Sequence, residues 1–527
     1  VAGADDASAF WYNPAGLGWA GRQLVVSASL PVLFAEFARI DGGGETLAPT
    51  SASAAPIPIP AVFYSDDFGL RDVSFGVGVF APTALSLSWS DAVDAPTRYS
   101  LITMDGTALL HLGLGAAWRP IPALSVGLGA QLVVGGFRAV TTLSACDRVI
   151  CSQPENPDFD ARAEIDLSPV AAPTFGAGLT YDAGRVRLGA SIQTGYALSG
   201  EATMRVRVPS AAIFDGARVD GDRGALSLDM PWILRAGVEV RPIGELRVEA
   251  SAVAELWSSQ RDLTVIPRDV WLRNVTAIGD YEVGPVTIPR AMRDTLSLRL
   301  GGEYRAGTVA LRAGLSYENG AFDDATLSPL TLDSDRWMPS VGASVELTRA
   351  VHVDAAFVYV AMRDRQVRNS AVPQVNPIRP PPADPVYVGN GDYAMDAVVF
   401  ALGLRWTPSQ DREAGQAPGD ASAPAGDVPP EAVGVEPTSG PLDPAPAAGR
   451  GTGLAPPGAA THDGAGGGSA EGHHDRDRAH VEGGATPAVT TTGRRARDAA
   501  SHRDDVPAEN PYREPPRRNR RGRSGGR

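Results

Sequence analysis

The chain has 527 residues, 59 of them glycine and 44 proline, with 20% charged residues and a formal net charge of −14. That length exceeds one ordinary soluble domain, so a large unit plus an appendage is expected. The acidic balance excludes nucleic acid, whose phosphates need a basic partner surface, and the longest unbroken apolar run, Ala397 to Leu404, is far below the ~18 residues that signal a spanning helix.

The chain begins Ala4-Asp5-Asp6-Ala7-Ser8-Ala9-Phe10-Trp11-Tyr12-Asn13-Pro14-Ala15-Gly16-Leu17 after three residues. Asn13-Pro14-Ala15-Gly16 reads as a rigid turn: Asn-Pro initiates it, Pro fixes φ, and Gly accepts a left-handed conformation. Such a turn can hold a plug against a wall. No charged segment with an apolar core precedes it, so the start reads as truncated, by processing or by a misplaced gene start.

From residue 22 the pattern is alternation with period two, the signature of strands whose side chains point to opposite faces in turn. In Leu296 to Arg305 apolar residues alternate with Ser297, Arg299, Glu303 and Arg305; in Val309 to Glu318, Leu311, Ala313, Leu315 and Tyr317 oppose Arg312, Gly314, Ser316 and Glu318. One face suits lipid and the other a polar lumen, which places Arg299, Glu303 and Arg312 inside. The strands predicted this way fall near 22–39, 57–66, 72–90, 104–118, 122–143, 172–182, 184–207, 227–241, 245–260, 294–306, 308–318, 338–348, 351–362 and 393–406. They number about fourteen, an even count as bacterial outer-membrane barrels require. Short turns such as Asp182-Ala183-Gly184 alternate with long links near 40–56, 91–103, 144–171, 208–226, 261–293, 319–337 and 363–392. This one-sided pattern is that of an all-β, antiparallel transmembrane barrel and not of a soluble sandwich. Trp89, Trp118, Trp232, Trp257, Trp337 and Trp406 lie near predicted strand ends, as girdle residues do, although aromatic β-propensity places them there as well.

Several segments together resemble the FadL/TodX (OmpP1) family of outer-membrane transporters for long-chain fatty acids and hydrophobic aromatics. Asp6-Ala7-Ser8 followed by Asn13-Pro14-Ala15-Gly16-Leu17 is similar to the family's N-terminal hatch, which implies hatch roles for Asp5, Asp6, Ser8, Asn13, Pro14, Ala15 and Gly16. Gly76-Val77-Gly78-Val79-Phe80-Ala81-Pro82 resembles its third strand, with Ala84 where a glycine is usual. Leu311 to Tyr317 with Asp333-Ser334-Asp335-Arg336-Trp337, and Leu228 to Trp232 through Trp257-Ser258, extend the resemblance to about residue 406. Glycine weakens a strand and proline cannot donate to a ladder, so Gly76, Gly78, Phe80 and Pro82 mark a place where pairing breaks. The resemblance implies that this kink is a lateral opening, whereas the residues alone also fit an ordinary bulge. Asp335 and Arg336 read as a lumen ion pair, a rim feature or a solvated loop end.

Enzymatic chemistry finds no support. Within the predicted barrel the histidines are His111 and His352, both read as lumen polar residues, and no nucleophile elbow or HExxH motif is present. Gly113/Gly115 and Gly127/Gly129 are lone G-x-G fragments inside strands. Cys146 and Cys151 are spaced to close a small disulfide in an oxidising compartment, and two thiols make a poor zinc site. Beyond Trp406 the periodicity stops, and residues 407–527 read as a disordered low-complexity tail ending in a basic run, with His473-His474 a solvated run or a weak metal site.

The organisation expected is a hatch at 1–21, a barrel at 22–406 and the tail at 407–527. The resemblance implies a monomer in the outer membrane of a Gram-negative bacterium, contacting membrane lipid. It also implies passive uptake of a long-chain fatty acid or similar hydrophobic molecule without a cofactor. Rival readings are a transporter of aromatic hydrocarbons or another lipid, a polar porin, and a surface-binding or structural barrel.

Overall fold

The computed structural model of the protein describes residues 1–146, 151–260, 262–376 and 386–408; of the expected tail, residues from 409 onward, His473 and His474 included, lie outside them. Fourteen antiparallel strands close into one barrel. They are β1 Gln23–Arg39, β2 Ile59–Asp66, β3 Val73–Ser88, β4 Thr103–Ile121, β5 Leu124–Ser144, β6 Asp160–Asp182, β7 (Val186–Gln193 and Tyr196–Arg207) and β8 (Arg223–Met230 and Ile233–Ile243). The rest are β9 (Leu246–Glu255 and Asp262–Arg268), β10 (Val286–Pro289 and Thr295–Ala306), β11 Val309–Glu318, β12 Arg336–Thr348, β13 Val351–Met362 and β14 Gly391–Trp406. Each strand pairs with its sequence neighbour, and β14 returns to β1 from Leu24↔Trp406 to Arg39↔Gly391, which removes both free edges.

The alternation read from the sequence sorts lipid from lumen. Val77 and Val79 on β3, Leu112 and Leu114 on β4, Leu128 on β5, Leu188 on β7 and Leu298 and Leu300 on β10 are exposed on the outer wall, while Ser125, Gln131, Ser191, Glu303 and Asp354 are buried inside. Trp118, Trp232, Trp337 and Trp406 are exposed outside as girdle residues would be. Trp89 and Trp257 are not, because both are buried on the inner side.

Three strand boundaries differ from the sequence reading. β6 starts at Asp160, not near 172, because its inward face changes from the odd positions around Leu167 to the even positions Ala172 and Thr174, on either side of Pro169. β9 and β10 continue past their expected ends in second pieces that pair Asp262↔Pro289 through Val265↔Val286. The long links at 208–226 and 261–293 carry a separate small sheet of Arg218–Asp220, Trp271–Val275 and Gly279–Glu282. Phe214, Leu272 and Val275 give it an apolar core.

Candidate functional site: a plugged lumen and a gap in its wall

Residues 1–21 fold inside the barrel near its short-turn end. A turn of helix, Ala9–Tyr12 (α1), leads to a 3-10 turn at Pro14–Gly16 and a second short helix, Leu17–Ala20 (α2). Asn13 joins the two halves. Its Oδ1 accepts from Ala15 N at 3.2 Å, and its Nδ2 donates to Thr180 Oγ1 at 3.1 Å and to Leu179 O at 3.2 Å on β6. Proline follows where its missing N–H removes no helical bond. Gly16 is required by contact rather than by φ: a Cβ there would sit 1.9 Å from Ala4 O.

The wall that receives this hatch is bare backbone. Gly76 and Gly78 on β3 face Gly115 and Gly113 on β4, Gly115 faces Gly129 on β5, and Gly127 and Gly129 face Gly178 and Gly176 on β6. The G-x-G fragments thus form a glycine floor across four strands. A Cβ at Gly127 would lie 2.2 Å from Ala15 N and Pro14 C, at Gly178 2.0 Å from Asn13 Oδ1, at Gly113 2.4 Å from the Phe10 ring and at Gly76 2.7 Å from Leu17 Cδ2. Phe10 and Leu17 are fully buried against this floor, each contributing about 2 kcal/mol of apolar burial. The third-strand glycines serve the hatch here. Gly76 and Gly78 are paired on both sides, so the ladder does not break at either of them.

Charges clamp the opposite side. Asp5 receives Arg187 at 2.9 Å and Arg247 at 3.3 Å, and Glu249 accepts from Gly3 N at 2.8 Å. From Arg247 the pairing climbs the lumen wall to Glu303 at 3.4 Å and thence to Arg312 at 2.6 Å and Asp354 at 3.2 Å. Arg299 lies 3.7 Å from Glu318, which also receives Arg336, and Arg336 donates to Asp333 at 2.9 Å. Of the residues expected to line the lumen, Glu303 and Arg312 pair with each other, and Arg299 belongs to the second group with Glu318 and Arg336. Arg336 is buried at the long-loop end, and Asp335 does not join it there: it accepts from Gly320 N at 2.9 Å and faces Arg363 at 3.4 Å, tying loops together.

Asp6 is buried beside a cavity of about 300 Å³ between hatch and wall, lined also by Ser8, Tyr12, Arg299 and Met338. Burial pushes its carboxyl up to about 6, against the bond from Ser8 and the charge of Arg405, with Asp5 adding to the rise. A carboxyl whose docked pKa is raised binds protons more tightly when docked, so docking strengthens as pH falls through about 6 toward the ordinary value of 3.8 and weakens as pH rises. Proteolysis of the hatch in the folded barrel is therefore expected to be slower at pH 5 than at pH 7.5. Asp6→Asn should flatten that dependence; an unchanged pH profile in Asp6→Asn would assign it to another group.

Above the hatch the lumen turns apolar. Phe10 and Trp11 pack edge-on against Phe80 at 5.9 and 5.1 Å, and Phe80 also meets Phe63 and stacks on His111 at 5.1 Å. His111 is buried, with Nδ1 2.7 Å from Gln131 Oε1; His352 is half-buried. Toward the loops a large buried cluster includes Phe37, Trp89, Trp257, Phe322 and Tyr393 together with Met104, Met204, Met292 and Met395, and Met230 and Met362 pack against it. Six of the seven methionines thus gather here. Flexible thioethers let such a surface repack around varied apolar shapes.

The ladder between β2 and β3 is interrupted at this level. The β2–β3 ladder runs from Asp66↔Phe75 to Ala61↔Phe80 and then stops, and the next contact between the two segments is the isolated bridge Ser53↔Ser88. Both ends keep the same register, so residues 54–60 and 81–87 pass one another without a ladder among the described residues. Pro56, Pro58, Pro60 and Pro82 lie in this stretch and supply no N–H. Phe80 stands at the closed end of the gap facing the hatch aromatics, and two register shifts follow it on the β4 side. In the loops, Cys146 and Cys151 are joined by a disulfide with Cα atoms 5.4 Å apart.

Sequence reasoning missed the glycine floor, the Asp5 clamp, the methionine-rich chamber and the inward aromatics. Four G-x-G pairs at strand midpoints were the available signal for the first.

A profile of the family described as outer membrane protein transport protein (OMPP1/FadL/TodX) matches residues 1–407. A Pseudomonas aeruginosa FadL homologue has the same fold, with a TM-score of 0.61 at 17% identity over 76% of this chain and 94% of its own. The P. putida toluene transporter TodX gives a TM-score of 0.53 at 18% identity over the same 76% and 94%. No curated protein matches the sequence.

Proposed function

The chain belongs to the OMPP1/FadL/TodX family of outer-membrane transport proteins, and from that premise we propose that it passively admits long-chain fatty acids or similar hydrophobic molecules and releases them sideways between β2 and β3. The observation that carries this reading is the proline-lined gap at the level where the lumen becomes apolar. Cargo enters at the loop end, partitions into the methionine-rich chamber, and reaches the gap once Phe10 and Trp11 let Phe80 swing aside. At ~25 cal/mol per Å2 of apolar area, an acyl chain buried there attains micromolar affinity. Transport is downhill and the protein acts as a monomer, with residues 1–21 as hatch, 22–406 as barrel and 407–527 as an appended tail.

The test is uptake of labelled oleate and labelled toluene by cells that carry the full chain and lack their own transporters for both. Oleate accumulation above empty cells supports the fatty-acid reading. Toluene accumulation without oleate would move the assignment to aromatic hydrocarbons, and accumulation of neither by a correctly inserted barrel would end the uptake reading.

A further inference from the structure

At the long-loop end of the wall, where the links before β10, after β11 and after β13 meet, lies a polar cavity of about 510 Å³. One of its lining residues is Tyr317, on the lipid face of β11 in line with the exposed Leu311 and Leu315. The Tyr317 ring centre is 4.9 Å from that of Trp337, which is exposed on β12. The charged lining comes as three ion pairs: Arg293 with Asp323 at 2.9 Å, Arg365 Nε with Asp324 at 2.9 Å and Arg363 with Asp335 at 3.4 Å. Arg365 is buried and also donates to Phe322 O at 3.2 Å, which fixes the Asp324 side of the cavity. Arg363 is 71% exposed. The first two pairs engage Oδ1 of Asp323 and of Asp324, both half-exposed, and among the described residues the second oxygen of each takes no hydrogen bond.

Three arginines against three aspartates leave this lining without net charge, so it offers no field to a bare anion. Nor is it a cation site, since no group of His, Cys, Asp or Glu able to hold a metal ion exists among the described residues. Fixed acceptors and fixed donors side by side suit a guest rich in hydroxyls, each of which both donates and accepts. An aromatic face at the edge of such a lining suits the C–H face of a sugar ring. The height of the cavity supplies the source of the sugar. Long loops mark the extracellular end of an outer-membrane barrel, and aromatic residues such as Trp337 mark the head-group level. Just below, Leu298, Leu300, Leu315 and Val341 are exposed on the outer wall, where acyl chains lie. We propose that this cavity holds the head-group sugars of a glycolipid of the outer leaflet, with its acyl chains on the wall beneath. The free oxygens of Asp323 and Asp324 accept from sugar hydroxyls, Arg363 donates to them, and Tyr317 carries a ring face.

The experiment measures binding of three probes to the purified full-length protein in detergent: short-core lipopolysaccharide, the core oligosaccharide released from it by mild acid, and phosphatidylglycerol, which has acyl chains but no sugar ring. The native chain is expected to bind the lipopolysaccharide at least about tenfold more tightly than phosphatidylglycerol, as one or two hydrogen bonds to charged groups supply. The oligosaccharide should displace the lipopolysaccharide, at higher concentration because it lacks the chains. Arg363→Gln and Tyr317→Leu should each weaken lipopolysaccharide binding about tenfold and leave phosphatidylglycerol unchanged, with a melting temperature near the native one showing that each is folded. Arg368→Gln is the matched control: it removes an exposed loop arginine, paired with Asp392 at 2.6 Å, that does not line the cavity. Binding unchanged in both cavity variants, an equal loss in Arg368→Gln, equal affinity for phosphatidylglycerol, or no displacement by the oligosaccharide overturns the proposal. Oligosaccharide that binds as tightly as the whole glycolipid would make the guest a free glycan and overturn the membrane source.

Discussion

Replacing Gly127 by leucine is expected to push the hatch out of the barrel. The new Cβ would stand 2.2 Å from Ala15 N and Pro14 C, which are backbone atoms of a rigid turn and cannot rotate away. Overpacking strain of about 3 kcal/mol shifts the docked-to-undocked ratio roughly a hundredfold. Loss of the Asn13 bonds to β6, which the same displacement breaks, adds to the effect. In planar bilayers the variant should conduct small ions through an open lumen where the native protein is closed. The hatch should also become accessible to protease. Gly244→Leu, in a turn with nothing within 4 Å of the added Cβ, is the matched control and should behave like the native chain. A closed, protease-resistant Gly127→Leu barrel would mean that the glycine floor is not what seats the hatch.

The second large effect is expected from filling the gap in the wall. Pro56→Val, Pro58→Val, Pro60→Val and Pro82→Val together return four N–H donors to segments that already pass in register between Ala61↔Phe80 and Ser53↔Ser88. Valine also has the β-propensity that proline lacks. Each regained ladder bond is worth about 1 kcal/mol, enough in sum to favour a zipped wall. Hydrophobic uptake should then fall at least roughly tenfold, while the amount of folded barrel is unchanged. Full uptake through a zipped barrel would rule out sideways release between β2 and β3 and send cargo through the lumen instead.

Much of the fold was legible because period-two alternation is imposed by two solvents at once, lipid outside and a polar interior within. The strands β10 and β11 announce themselves through Arg299, Glu303 and Arg312 set against Leu298, Leu300 and Leu311, and the hatch through Asn13-Pro14-Ala15-Gly16. What was hidden depends on register between strands that are distant in sequence. Gly76, Gly115, Gly129 and Gly176 become one surface only once β3 to β6 are aligned, and a G-x-G inside a single strand carries no hint of it. The same holds for Arg235 and Trp11, separated by most of the barrel in sequence and by 5.3 Å in space. Trp89 and Trp257 misled as girdle residues because position near a strand end does not say which face a side chain takes. The start of β6 was lost because its inward face changes parity around Pro169, and a pattern that shifts phase mid-strand reads as a loop.

The central claim is that this barrel passes apolar molecules while its hatch keeps the lumen shut to polar ones. Accumulation of labelled oleate and labelled sucrose, measured side by side in cells carrying the full chain and lacking another fatty-acid transporter, tests it most directly. The account predicts oleate above the level of empty cells and sucrose at that level; sucrose entry without oleate entry would contradict it and make the protein a polar pore.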